Sequence, residues 1–188
     1  MEIIAFEELK ARKYELIGKI IRGELFIYPT DTIYGLGCDA TNFAAVYRLR
    51  ELKKRPIQPL SIIPPSIDWI YENCEIDEEI EKELSKLPGP YTFILKLKNR
   101  LAIASNVSYM DTIGIRIPDH KILEFLSETR RPIVTTSVNI SNEPFMKDLS
   151  DLDDNFKIDV SFIIYQGPIF GKPSKIIDLV SKKIIERD

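Results

Sequence analysis

The order of the apolar runs constrains this chain more than any one motif does. Some strand-like runs are separated by stretches with helical spacing, and others follow one another directly. "ELFIY" (24–28), "LSII" (60–63), "YTFILKL" (91–97), "TIGIRI" (112–117) and "PIVTTSV" (132–138) read as strands rich in β-branched and aromatic residues. "FKIDVSFIIY" (156–165) contains another, and "KIIDLV" and "KKIIER" read as a closing pair. Between the strands, residues 6–22 carry Leu9, Leu16, Ile17, Ile20 and Ile21 at roughly helical spacing, with Gly23 as C-cap. Asn42 is placed to N-cap a helix through about Lys54, which "RPIQP" ends, because proline cannot continue a helix. Ser66 and Asp77 start two shorter helices, and "HKILEFLSE" is a further one. Alternation mixed with adjacent strands predicts an α/β (α+β) fold: a mixed, twisted sheet flanked by helices.

With 188 residues and no repeat, low-complexity tract or linker, the expectation is a single domain over 1–188. The apolar runs are too short to span a bilayer, and "MEIIAFEELKARK" lacks a signal-like start. With two cysteines, Cys38 and Cys74, reduced thiols and a cytoplasmic setting are expected. The net charge of −3 argues against an extended nucleic-acid surface but allows a local basic cavity.

Candidate chemistry falls into two groups. "LKKRP" puts Lys53, Lys54 and Arg55 at a helix C-terminus, where basic residues either complement the dipole or grip a phosphate or carboxylate. Arg116 lies inside an apolar strand and needs an anion, from the protein or from a ligand. The second group is hydroxylic: Thr30, Thr32, Tyr34, Thr112, Ser137 and Ser174 sit at strand ends or just beyond, with the amide Asn139 after "TTSV". Singly such residues are turn or cap residues. Converging at one end of a sheet they would line a cleft.

Several reaction classes are disfavoured. His120 is the sole histidine, and with two distant cysteines it offers no zinc site. There is no GxSxG. "GPIFGKPS" is not a Walker A loop, since three residues separate its glycines and Pro173 stands at the Ser/Thr position. "GLG" after Tyr34 is too short for a dinucleotide fingerprint.

"YPTDTIYGLGCDA", "KKRP…PLSI", "PGPYTFIL", "TIGIRIPDH", "TTSVNIS" and "GKPSKIIDL", in this order and spacing, resemble the YrdC-like family over residues 24–187. The resemblance implies a YrdC-like fold with a deep basic cavity. It implies a threonylcarbamoyl-AMP synthase, which converts L-threonine, bicarbonate and ATP to threonylcarbamoyl-AMP and pyrophosphate for threonylcarbamoyl-adenosine modification of tRNA. By resemblance, Thr32, Tyr34, Arg116, Ser137 and Ser174 meet threonine and bicarbonate. Lys53, Arg55, Gln58, Thr112, Asn139 and Arg187 meet ATP. No residue is expected as nucleophile, base or metal ligand, because Mg2+ would ride mainly on the phosphates. Asp31 receives no role. A downstream threonylcarbamoyl transferase complex is the implied partner, with tRNA as a further candidate and no membrane. Gln58 stands where the family often has asparagine, the histidine that often follows "PL" is absent, Lys175 replaces a threonine, and Asn142 replaces a glycine. By the same resemblance, the extra C-terminal domain of longer members is not expected here.

Two other readings remain open at this level. A YciO-like paralogue shares "YTFILK" and "TIGIRIP", although that branch loses the KxR and SxN residues kept here. A non-catalytic RNA- or nucleotide-binding module would use the same cations on a phosphate backbone.

Overall fold

A computed structural model describes residues 1–185. Leu9–Ile21 form α1, with Leu9, Leu16 and Ile20 on its buried face. The helix ends at Gly23, whose φ of 86° is one that a side-chain-bearing residue would adopt only under strain. The wholly buried β2, Leu25–Tyr28, follows. The Asn42 side chain then accepts from the Ala45 amide and caps α2, Phe43–Leu52. Ser66 and Asp77 cap α3 (Ile67–Asn73) and α4 (Glu78–Leu84) in the same way. The remaining helices are α5 (Ile122–Ser127) and α6 (Asp154–Asp159).

The strands are β1 (Glu2–Ala5), β2, β3 (Gly35–Gly37), β4 (Ser61–Ile63), β5 (Tyr91–Lys96), β6 (Thr112–Ile115), β7 (Ile133–Ser137), β8 (Val160–Tyr165), β9 (Lys175–Asp178) and β10 (Lys183–Ile185). They form one hydrogen-bonded order, β1-β8-β2-β3-β7-β4-β6-β5-β9-β10. The pairs β1–β8, β2–β8, β4–β6 and β5–β9 are parallel, and β2–β3, β3–β7, β4–β7, β5–β6 and β9–β10 are antiparallel. The sheet is therefore mixed, as the order of the runs predicts.

Successive side chains on a strand point to opposite faces, and this pleat divides the molecule. On one face Leu25, Ile27, Leu36, Ile62, Phe93, Leu95, Ile113, Ile115 and Val134 join α2, α3 and α6 in a large core. On the other, Ile4, Phe26, Tyr28, Phe162 and Ile164 pack under α1 and α5, out to Ile63 and Ile133. Each large buried side chain there contributes about 1.5–3 kcal/mol. Past Ile63 and Ile133 that second face changes character. Ser61, Thr92, Ile94, Thr112, Gly114, Thr135 and Ser137 take the in-register positions, and they line a cavity.

Four elements differ from expectation. The "GLG" segment, which is not among the strand-like runs, is a strand paired with β2 and β7, and the Tyr28 ring lies across it. A Cβ on Gly35 or Gly37 would come within 2.9 Å of that ring. Strand β1 and helix α6 carry no strong local signal. Strand β6 ends at Ile115, which leaves Arg116 just beyond it.

Candidate functional site

The cavity measures about 260 Å³ and lies across β3, β7, β4, β6, β5 and β9. Its floor is largely hydroxylic and small because one register of β3, β7, β4, β6 and β5 carries mostly Thr, Ser and Gly, while β9 adds Ile176 and Asp178. Gly114 is required at its position, since a Cβ there would sit 2.4 Å from Ser61 Oγ. The charged residues that line it are Arg55, Arg116 and Asp178.

Arg116 marks one end. Its backbone amide donates to Ile62 O at 2.9 Å, which continues the sheet pattern past β6. Its Nη2 donates to Asp31 Oδ1 at 2.8 Å, to Thr30 Oγ1 at 3.1 Å and to Thr32 Oγ1. The Arg116 and Asp31 side chains are 8% and 12% exposed. Thr30 closes the loop locally: its Oγ1 accepts from the Thr32 and Ile33 amides and donates to Ile33 O. Thus Asp31, which the sequence left without a role, supplies the protein anion that Arg116 needs. Arg116 Nε is nonetheless buried with no hydrogen-bond partner among the described residues.

Tyr34 ties this loop to the segment 166–174. Its hydroxyl donates to Gly167 O at 2.6 Å and accepts from the Gln166 amide at 3.2 Å, and its ring stacks on Tyr165. Burial pushes the phenol up to about 12, so it stays a donor at neutral pH. Gly171 crosses directly over Thr32, where a Cβ would lie 1.9 Å from the Thr32 carbonyl oxygen. The segment then lines the cavity with Pro173 and Ser174, and the Ser174 and Thr92 hydroxyls lie 2.7 Å apart.

The other end is cationic. Arg55 lines the cavity and donates through Nη2 to Pro59 O at 2.9 Å, while its Nε is also buried without a partner. Burial, with the Arg50 charge second, pushes its guanidinium below the usual value. Lys53 is 1% exposed and does not line the cavity. Its Nζ donates to Ser137 O (2.5 Å), Asn139 O (2.8 Å) and Asn139 Oδ1 (3.1 Å), so the lysine holds the turn after β7. Burial, aided by the Arg55 charge, lowers it to about 7. Asn139 Oδ1 also accepts from Ser137 Oγ, and its Nδ2 donates to Glu143 O.

Arg50 has no counterpart among the sequence candidates. It is 3% exposed and spreads its guanidinium over four carbonyl oxygens, those of Asn106, Arg55, Gln58 and Val107. An arginine at an apolar position of α2 was the available signal. The floor hydroxyls Ser61, Thr92 and Thr135 were also missed, and their signal was small polar residues recurring at every second strand position.

Of the sequence candidates, Tyr34, Arg55, Thr112, Arg116, Ser137 and Ser174 line the cavity together. Thr32 reaches it through Arg116, and Lys53 and Asn139 stand behind Ser137. Gln58 is exposed and takes part through its backbone carbonyl. Arg187 lies outside the described residues. His120 accepts from the Ile122 amide through Nδ1, so its proton is on Nε2, facing Gln166 Oε1 at 3.0 Å. Among the described residues, no group of three or more His, Cys, Asp or Glu side chains could hold a metal ion.

Comparison with known proteins follows the same outline. The Sua5/yciO/yrdC family model, described as "Telomere recombination", matches residues 19–187. A Methanocaldococcus jannaschii protein named as a candidate threonylcarbamoyl-AMP synthase is 35% identical over 95% of this chain and 86% of its own length. The threonylcarbamoyl-AMP synthase of Vibrio vulnificus is 28% identical over 92% of this chain and 96% of its own. Among solved structures, Pyrococcus abyssi Sua5 complexed with L-threonine superposes with a TM-score of 0.85 at 34% identity. That alignment covers 96% of this chain but 55% of the Sua5 chain. Escherichia coli YciO, at 23% identity and a TM-score of 0.79, shares the fold.

Proposed function

The chain belongs to the Sua5/YciO/YrdC family, and from that premise we propose that it is a threonylcarbamoyl-AMP synthase, joining L-threonine, bicarbonate and ATP with release of pyrophosphate. The observation that carries the reading is the pairing of two arginines in one cavity. Arg116 and Arg55 both line it, and each keeps a buried Nε without a partner among the described residues. Buried donors are rarely left so, and two ligand anions would satisfy them. The threonine carboxylate fits Arg116, and the triphosphate fits Arg55.

The threonine amine, having lost its proton, adds to the bicarbonate carbon and water leaves, giving a carbamate, which is short-lived in bulk water and persists in a closed cavity. A carbamate oxygen then attacks the α-phosphorus, and pyrophosphate leaves. No protein nucleophile is needed, since alignment and charge stabilisation do the work. Lys53 contributes by holding Ser137 and Asn139 beside the substrates. Thr32, Tyr34 and Ser174 shape the threonine side, and Thr112, Gln58, Asn139 and Arg187 the nucleotide side. Magnesium, where it accompanies ATP, would be held by phosphate oxygens and water. The product serves a threonylcarbamoyl transferase that modifies tRNA in the cytoplasm. Among the described residues no helix is long and apolar enough to cross a membrane. The reading treats 1–188 as one domain.

The test is pyrophosphate release by wild type and Arg55→Ala. Wild type releases it only with threonine, bicarbonate and ATP together, and Arg55→Ala loses at least about a hundredfold in rate with its unfolding midpoint retained. Normal turnover by a folded Arg55→Ala would remove the site assignment. ATP-independent, salt-sensitive RNA binding without turnover would replace the enzyme with a binding module.

A further inference from the structure

We propose that Asp31 sets the charge selectivity of the amino-acid end of the cavity: by neutralising Arg116 it makes that end accept an α-amino acid as its zwitterion and disfavour carboxylates that lack the amine. The inference rests on the reading above, in which the substrate carboxylate meets Arg116.

A buried guanidinium with no counter-ion would attract any carboxylate, whatever else the ligand carried. Here the charge is already balanced, because Asp31 Oδ1 lies 2.8 Å from Nη2 and both side chains are almost entirely buried. The Thr30 and Thr32 hydroxyls share the same nitrogen, which leaves Nε without a partner among the described residues and open to a ligand. A ligand with a single negative charge would leave this end with a net buried charge. A zwitterion leaves it neutral, because its ammonium sits in the field of Asp31 while its carboxylate sits on Arg116. Asp31 does not itself line the cavity, so it acts through Arg116 and through space as a positioning residue. A unit charge roughly 6–12 Å away, at an effective dielectric of ~20, is worth roughly one to two decades of affinity.

The experiment is calorimetric titration of wild type and Asp31→Asn with three probes: L-threonine, the hydroxy acid in which a hydroxyl replaces the threonine amine, and ATP. Wild type should prefer threonine to the hydroxy acid by at least about tenfold. Asp31→Asn keeps an oxygen for Nη2 but removes the charge. It should bind threonine more weakly and the hydroxy acid more tightly, so that the preference collapses by roughly ten- to a hundredfold. Asp31→Glu should restore it, and ATP, a polyanion in the same cavity, should bind Asp31→Asn no more weakly than wild type. Equal weakening of threonine and hydroxy acid in Asp31→Asn would reduce Asp31 to a structural strut and overturn the proposal. So would equal affinity for the two in wild type, a result that needs no variant to fold. Failure of wild type to bind threonine at all would instead sink the functional reading on which this one stands.

Discussion

The two ends of the cavity hold their cations in opposite ways. Arg116 is held by a carboxylate and two hydroxyls. Arg50, Lys53 and Arg55 are held almost entirely by carbonyl oxygens, with an amide oxygen and no carboxylate among the partners. A carboxylate cancels a charge, whereas a carbonyl dipole fixes its position and leaves it formally intact. The first arrangement suits a ligand with no net charge, and the second suits a polyanion. The separation follows from topology: Asp31 lies in the loop between β2 and β3, while the KxR segment leaves α2 where backbone carbonyls and the Asn139 amide oxygen converge.

Removing the cation from the neutral end should cost the most stability. Arg116→Met leaves Asp31 buried without its partner, a change that costs about 3–5 kcal/mol. In Asp31→Asn/Arg116→Met the stranded charge is gone, and more than half of that loss should return. Urea unfolding of the two single variants and the double measures the coupling. A loss under about 1 kcal/mol for Arg116→Met would mean that the pair is solvated, and the contrast between the ends would disappear.

At the cationic end, Arg50→Met removes donors from four carbonyls, two of which belong to Arg55 and Gln58. The expected cost is about 2–4 kcal/mol, because no carboxylate is stranded and only carbonyls lose their partner. The kinetic signature sharpens the comparison. KM for ATP should rise several-fold while KM for threonine stays put, since the slackened loop aims Arg55 and not Arg116. If both constants rose together, the two ends would be one coupled unit.

Much of this was legible in the sequence, and the exceptions share a cause. Caps at Asn42, Ser66 and Asp77 and the runs that became β2, β4, β5, β7 and β8 depend on neighbours within a few residues. Strand β1 depends on β8, whose Phe162 pairs with Glu2 from the far end of the chain. Strand β3 depends on where the Tyr28 ring lies, and glycines give it no intrinsic strand preference. The same holds for the site. Arg116 announced itself as an arginine in an apolar strand, but no local pattern showed that Asp31 is its anion, because that contact spans 85 positions. Lys53 looked like a phosphate ligand at a helix C-terminus. Its three bonds to Ser137 and Asn139 appear only when β7 is laid beside α2.

Lys53 also offers the subtlest test. Burial lowers its folded pKa to about 7, while in the unfolded chain it titrates near the ordinary 10.5. Between those values the unfolded state binds more protons than the folded state, so this group makes stability rise with pH through that window. From pH 7 to 9 the rise is on the order of 2 kcal/mol. Lys53→Met removes it and flattens the profile, whatever the substitution costs overall by freeing Ser137 and Asn139. Binding of a polyanion beside Arg55 should reverse the effect of burial and pull a proton onto Lys53. At pH 8, ATP titrated into wild type in buffers of different ionisation enthalpy should therefore show proton uptake, whereas Lys53→Met and threonine titrations should show little. Equal proton uptake by wild type and Lys53→Met would assign the titration elsewhere and leave the cationic end without its titrating lysine.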